Sequence, residues 1–232
     1  MASESVAQVA GQFVPARKSS FNTKELWAQQ IAIALDSLVR SGLLSTSTGE
    51  ISVRMSATDT ILITPSMPFV EKVTANDLFE LTMESRIIGK RGHPSFAQQM
   101  HVAIYNARAD VRAIVHSNAP MATVLGICQL PIPPITLDAV PFTDLPRIPA
   151  HLLLKQQWPR EVAAKLADGA PAALLLNNGI VTVGLDLQQA VRRAIALEDT
   201  ARLLVICHLL HQAPGVLPPE AVEILRNAPP VD

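Results

Sequence analysis

The chain has 232 residues, of which 49% are hydrophobic and only 17% charged, and its formal net charge is −1. That length can bury a real core in one large domain or two small ones, and the near-neutral balance lacks the basic excess of a nucleic-acid binder, so no nucleic-acid partner is expected. So little charge leaves few residues to coat a monomer, which favours a homo-oligomer. Cys128 and Cys207 lie in apolar sequence without CxxC spacing and read as buried thiols of a reducing compartment. The N-terminus has no basic stretch followed by an apolar one, and no run approaches the roughly 18 apolar residues of a membrane span. A cytoplasmic protein without membrane contact is the expectation.

Along the chain, residues 1–22 are small and polar and read as a flexible arm. Asn22 or Thr23 caps a helix over 24–40, with Leu26, Trp27, Ile31, Ala34, Leu35 and Leu38 at helical spacing and Gly42 as its stop. "GEISVRM" and "TILITPS" flank the turn-prone "SATD" as an antiparallel hairpin, and "LFELTM" adds a strand. Pro94 and Ser95 open a helix over 96–108, and "VRAIVHS" follows as a strand that delivers His116 to its end. A short helix starts at Pro120. The stretch "CQLPIPPITLDAVPFTDLPRIPA" has too many prolines for a helix or central strand and reads as a long irregular excursion with edge pieces. A helix over 159–166, the strands "AALLLNN" and "IVTVG", and a long helix over 187–211 complete the domain. The proline-rich tail, 213–232, is expected to dock on a neighbour or fray. Strands in an antiparallel set with helices between, and no regular βαβ alternation, indicate an α+β or mixed three-layer single domain over 23–212.

The chemistry-bearing stretch is "IVHSNAP". Residues i and i+2 of a strand share a side, so His116 and Asn118 can face one pocket, yet one imidazole and one amide do not make a metal site.

Four motifs in order, "SGLLSTSTGEISVRM", "ILITPSMP", "GHPSFAQQMHVAIYNARADVRAIVH" and "ALLLNNGIVTVG" before a long helix, resemble the class II aldolase/adducin family, which includes L-fuculose-phosphate aldolase. The resemblance implies a layered fold with a mainly antiparallel central sheet, a cyclic homotetramer with active sites between subunits, and a divalent metal such as zinc or manganese. It places the family's metal-ligating glutamate at Ala97 and its three histidines at His116, Asn118 and Asn178. One imidazole with two carboxamides is a poor ligand set for zinc, so no metal cofactor is expected. The phosphate cradle retains Gly49, Ser66 and Ser95 but has Glu50, Met67 and Phe96 where the family has Asn, Gly and Ser, and an added negative charge and bulk oppose phosphate. The tyrosine that the family lends from a neighbouring subunit falls near Leu137; Tyr105, the chain's one tyrosine, sits on a helix instead.

The implied cleft is lined by Glu50, Ser66, Ser95, His116, Asn118 and Asn178, with Glu50 and His116 as candidate catalytic groups and the other four as ligand-binding. Each has a plainer reading. His116 can be a polar anchor at a strand end, and the two asparagines can serve their own turns. Glu50 is either a base in the pocket or a solvated hairpin carboxylate. His101 is expected to hydrogen-bond within the core, His208 and His211 to suit a helix C-terminus, and Arg192, Arg193, Glu198 and Asp199 to form a charged helical face. The leading expectation is a protein that binds a small carbonyl or carboxylate compound without aldolase activity of the family's usual kind. The rivals are a metal-independent lyase or isomerase using Glu50 and His116, and a protein holding a metal through other ligands such as Glu50 and Asp138.

Overall fold

A computed structural model describes residues 23–44, 49–55, 57–65, 73–89, 92, 94–95, 97–153 and 155–228. The chain opens with α1 (Thr23–Arg40), which buries Ala28, Ile31, Ala34, Leu35 and Leu38, the i, i+3, i+4, i+7 stripe of an amphipathic helix. Leu26, counted on that stripe from sequence, is 48% exposed. The helix ends in a Schellman turn: Gly42 takes φ +74° and its N–H reaches the Val39 carbonyl, while the Leu43 N–H reaches that of Leu38.

β1 (Glu50–Met55) and β2 (Thr60–Ile63) form the expected hairpin, its turn clamped by Arg54 on Asp59. β3 (Phe79–Leu81) and a short β4 (Ile87–Ile88), which the sequence reading did not include, extend the sheet outward. α2 (Gln98–Ala107) leads to β5 (Ala113–Ser117), α3 (Pro120–Ile127), a 3-10 turn (Leu137–Phe142), β6 (Arg147–Ile148) and α4 (Ala150–Leu153). Then come α5 (Trp158–Leu166), β7 (Ala172–Leu175), β8 (Ile180–Gly184) and α6 (Leu187–Leu209). The proline-rich excursion is thus irregular apart from the 3-10 turn and the edge strand β6.

The strands make one eight-stranded sheet in the order β4-β3-β2-β1-β5-β8-β7-β6, antiparallel everywhere except β6–β7. Because side chains alternate along each strand, two cores form. Ile51, Val53 and Val115 pack with α1, α3 and α6 on one face; Ile61, Ile63 and Ile114 pack with α2 and α5 on the other. The architecture is the three-layer α+β arrangement, with β1 and β5 at its centre.

Three expectations change. Among the described residues the tail is ordered as a helix: α7 (Pro219–Asn227) contacts its own chain, where Arg226 reaches Thr143 and Asp144 and the Leu217 N–H reaches the Pro134 carbonyl. The thiols are not buried, since Cys128 is exposed at the end of α3 and Cys207 is half-buried on α6. The charged face of α6 is also incomplete: Glu198 sits on the buried stripe with Ala194, Leu197 and Ala201, and Arg193 is half-buried with a hydrogen bond to the Val183 carbonyl.

Candidate functional site

Glu50, the first residue of β1, stands directly opposite His116 of β5 in the antiparallel ladder, so the two side chains emerge on the same face within reach of each other. The approach depends on Gly49 at φ +122°, where a Cβ would lie 2.0 Å from Leu44 Cδ2 and 3.1 Å from the His116 carbonyl oxygen. His116 Nδ1 is 2.7 Å from Glu50 Oε2. Ser95 Oγ donates to Glu50 Oε1 at 2.6 Å while accepting the Ala97 N–H at 2.9 Å, so the turn that leads into α2 fixes the hydroxyl against the carboxylate. All three side chains are buried. A carboxylate only accepts, so Nδ1 carries the proton and a neutral ring keeps its lone pair on Nε2. That atom lies 3.4 Å from the Asn178 carbonyl oxygen, a contact that becomes a hydrogen bond only when Nε2 is protonated as well.

Burial by itself would raise the Glu50 carboxyl. The hydrogen bond and charge of His116, the Ser95 hydroxyl and the nearby His101 outweigh it, and the group is held at about 2 against an ordinary 4.5. Glu50 is therefore an anion that anchors and orients His116, and it is too weak a base to take protons itself near neutral pH. Glu50 is thus buried, not a solvated hairpin carboxylate.

Two residues along β1, on the same side as Glu50, Ser52 Oγ meets His101 Nδ1 at 2.7 Å and Tyr105 OH at 2.9 Å. His101 and Tyr105 are four apart on α2 and so share the face turned to the sheet. Complete burial pushes the His101 imidazole down to about 3, against the opposing pull of Glu50, and the same burial raises the Tyr105 phenol. Both are neutral near pH 7. His101 Nε2 is buried with no hydrogen-bond partner among the described residues. The sequence reading placed His101 in a core hydrogen bond but missed Ser52 and Tyr105; the i+2 step from Glu50 and the i+4 step from His101 were the available signals.

Asn178 occupies the β7–β8 turn after Asn177 (φ +65°) and before Gly179, where a Cβ would stand 2.0 Å from the Ser117 carbonyl oxygen and 2.7 Å from Asn118 Cα. That close approach carries Asn118 and Asn178 to the end of the sheet where His116 lies. Both asparagines are half-buried, and their side-chain amides make no hydrogen bond among the described residues. Ser66 lies outside the described residues, as do Met67 and Phe96. Ala97 is buried, supplying a methyl group where the resemblance implies a carboxylate.

The donor set gathered around His116 is one imidazole, two neutral amides and a carboxylate already committed to Nδ1 and Ser95. It does not fit the site of three imidazoles and a carboxylate that the resemblance implies. Asp138 does not restore it. It is exposed on the 3-10 turn, beside Arg192 and Asp199 of α6 and across the sheet from Glu50. Among the described residues, no group of three His, Cys, Asp or Glu side chains is placed to hold a metal ion. No helix among them is long and apolar enough to cross a membrane.

An eight-stranded, largely antiparallel sheet between two helical layers, with a polar cluster where β1, β5 and the β7–β8 turn converge, is the framework of class II aldolases. The chain belongs to the class II aldolase and adducin family: residues 29–205 match the model of the Class II Aldolase and Adducin N-terminal domain. It is 31% identical over 183 residues to a 5-methylthioribulose-1-phosphate/5-deoxyribulose-1-phosphate aldolase of Rhodospirillum rubrum, covering 78% of this chain and 81% of that one. It is also 31% identical over 175 residues to a 4-hydroxy-3-prenylphenylpyruvate oxygenase/4-hydroxy-3-prenylbenzoate synthase of Streptomyces roseochromogenus, covering 72% of this chain and 61% of that one. Among solved structures, YgbL from Escherichia coli, described as a putative aldolase/epimerase/decarboxylase, superposes with a TM-score of 0.80 at 23% identity, over 89% of this chain and all of that one.

Proposed function

We propose that this protein binds a small carbonyl or carboxylate compound at the His116 end of the sheet, without a divalent metal and without cleaving sugar phosphates, and that His116 is the proton-transferring group there. The observation that carries the reading is the Glu50–His116 contact of 2.7 Å, in which a carboxylate fixes the imidazole by Nδ1 and leaves Nε2 free to accept a proton. The half-buried amides of Asn118 and Asn178 are the donors for the carbonyl oxygen on which charge develops as that proton leaves. A buried anion beside Gly49 opposes a substrate phosphate, which the family's sugar-phosphate members place at the corresponding turn. The relative named for a prenylated phenylpyruvate supports the substrate class, since the compound in its name is a carbonyl acid with no phosphate. The same anchored imidazole supports a lyase or isomerase that works without a metal as the second reading.

The elements that carry the pocket lie within residues 23–212, which we take as the functional domain, with 213–232 as an appendage. A homo-oligomer, a tetramer in the family's manner, accounts for the exposed Ile33, Leu203, Ile206 and Leu209, with the site near a subunit boundary.

The test combines elemental analysis of the purified protein with exchange of carbon-bound protons of small ketones and 2-oxo acids for deuterium, followed by NMR. The expected result is less than stoichiometric zinc, manganese or iron, together with saturable exchange that falls by about 10²–10⁴-fold in His116→Gln. Tightly held metal at His116, or turnover of fuculose or ribulose phosphates, would overturn the reading.

A further inference from the structure

Only Asn118 and Ala119 connect β5 to α3, and the main chain of Asn118 is fixed on both sides. Before it, Ser117 pairs with Ile180 of β8, and the β7–β8 turn passes so close that a Cβ on Gly179 would stand 2.7 Å from Asn118 Cα. After it, the Thr123 hydroxyl donates to the Asn118 and Ala119 carbonyl oxygens at 3.0 and 2.8 Å.

The start of α3 is capped from far along the chain. Ser, Thr, Asn or Asp just before a helix ordinarily accepts its first N–H groups. Here that residue is Ala119, which has no side-chain acceptor. The Met121 and Ala122 N–H groups go instead to the two oxygens of Glu198 on α6, each at 2.9 Å, and Glu198 is 1% exposed. Burying a carboxylate for this task is costlier than a neutral local cap. A local cap is at hand in Asn118. As the capping residue it would accept the Met121 N–H on its side-chain oxygen and the Ala122 N–H on its carbonyl, the same two groups that Glu198 takes. Pro120 works in the same direction, because the residue before a proline resists helical dihedrals and the helix does not grow back towards Asn118.

We propose that Glu198 is a positioning residue: by holding the first N–H groups of α3 from α6, it keeps the Asn118 carboxamide out of the helix cap and available to the carbonyl oxygen of a ligand at His116. This rests on the reading of Asn118 as a ligand-binding amide, and its first test needs no ligand.

The side-chain ¹⁵N signals of Asn118, identified by their loss in Asn118→Ala, are followed in the full chain. Glu198→Ala leaves the Met121 and Ala122 N–H groups without their acceptor, and the expected result is a shift of the Asn118 signals as its carboxamide turns to cap α3. Glu198→Gln keeps one acceptor oxygen and should shift them less, and it decides the matter where the alanine variant folds poorly. Val162→Ala, a packing defect on α5 in the other layer, should leave them in place. With pyruvate as the probe of proton exchange, Glu198→Ala should lower kcat by about tenfold or more and change KM less, as expected when a donor to the developing oxyanion is misplaced. Asn118 signals that stay in place in both Glu198 variants, or move equally in Val162→Ala, would overturn the proposal. So would shifted signals with an unchanged kcat, since Glu198 would then only cap a helix. A parent protein that leaves pyruvate unexchanged would count against the reading of the pocket, while the Asn118 signals still decide the role of Glu198.

Discussion

Glu50 and Glu198 are both buried carboxylates, and the fold treats them in opposite ways. Glu50 faces α2 across the sheet and has an imidazole and a hydroxyl on its two oxygens, which together hold its carboxyl well below the ordinary range. Glu198 faces the other layer, where its oxygens accept the Met121 and Ala122 N–H groups at 2.9 Å each and so cap the start of α3. Burial raises its carboxyl, and those backbone bonds and Arg202 only partly offset the rise. Burial is common to the two, and the difference is the partner. An imidazole can share or take a positive charge, whereas backbone amides satisfy an acceptor without neutralising it. One acid is arranged to stay charged beside an imidazole; the other holds the helix that follows Asn118.

The largest effect expected from breaking this contrast is the creation of a metal site. Ala97→Glu, Asn118→His and Asn178→His restore the donors that the family resemblance implies, with His116 Nε2 free to join them, but the Glu50 anion would repel the new carboxylate. Adding Glu50→Asn removes that repulsion. Zinc titration should show no saturable binding to the parent at His116 and at least micromolar binding to the fourfold variant, a binding free energy of about −8 kcal/mol or better. The triple variant should bind more weakly, and any single replacement should have little effect. A folded fourfold variant that ignores zinc would show that the backbone around His116 has also moved away from metal-binding geometry.

Next in size is the loss of Glu50 itself. Glu50→Ala leaves His116 without its acceptor and the Ser95 hydroxyl without its bond, and removing one member of a buried charged pair costs about 3–5 kcal/mol. For a chain of this size that corresponds to a fall of roughly 10 °C in Tm by calorimetry. Glu50→Gln keeps an acceptor and should lose less stability, while still weakening any proton transfer through His116.

These contacts differ in how far they could be read from sequence. The hairpin, α2, β5 and the last two strands follow from alternation, helical spacing and turn residues, all of which act over a few positions. The gathering of His116, Asn118 and Asn178 came from motif order, and its physical reason, the close backbone approach at Gly49 and Gly179, is seen only in the structure. The Glu50–His116 pairing could not be fixed, since it depends on the register between β1 and β5, residues 66 apart, and a slip of one residue would turn Glu50 to the opposite face. Glu198 was misread because a charged residue beside Asp199 looks solvated until its place on the Ala194–Leu197–Ala201 stripe is counted. The tail helix eluded the reading because prolines at 214, 218 and 219 suggested breakage, although Pro219 serves as a helix start.

Acid pH tests the charged side of the comparison. Glu50 titrates at about 2 when folded and near 4.5 when unfolded, so the unfolded chain binds more protons between those values. Its contribution, on the order of 3 kcal/mol, is complete above pH 4.5 and is lost as the pH falls towards 2. His101 has the same sign over a higher window: it stays neutral in the fold to about 3 but protonates near 6.5 when unfolded, so stability declines as pH falls from 6.5. Urea unfolding from pH 7 to 3 should show both slopes. His101→Gln should flatten the upper one, and Glu50→Gln the part below pH 4.5. An unchanged upper slope in His101→Gln would mean that the imidazole is not held neutral by burial.

Glu198 should give the smallest effect and the opposite sign. Its folded carboxyl lies above the unfolded value, so the folded chain binds more protons in the window between them and stability falls as pH rises through it. Glu198→Gln removes that titration. It retains one acceptor oxygen, which can satisfy one of the Met121 and Ala122 N–H groups, and turns an amide NH₂ towards the other. At neutral pH the cost is that of a weakened helix cap, about 1 kcal/mol. The difference between the two proteins should then grow in favour of the parent as pH is lowered towards 4.5, where protonation relieves the buried charge. The parent's advantage over Glu50→Gln shrinks below that same pH. Parallel pH–stability curves for the two glutamine variants would show that the partners of these carboxylates do not set their ionisation.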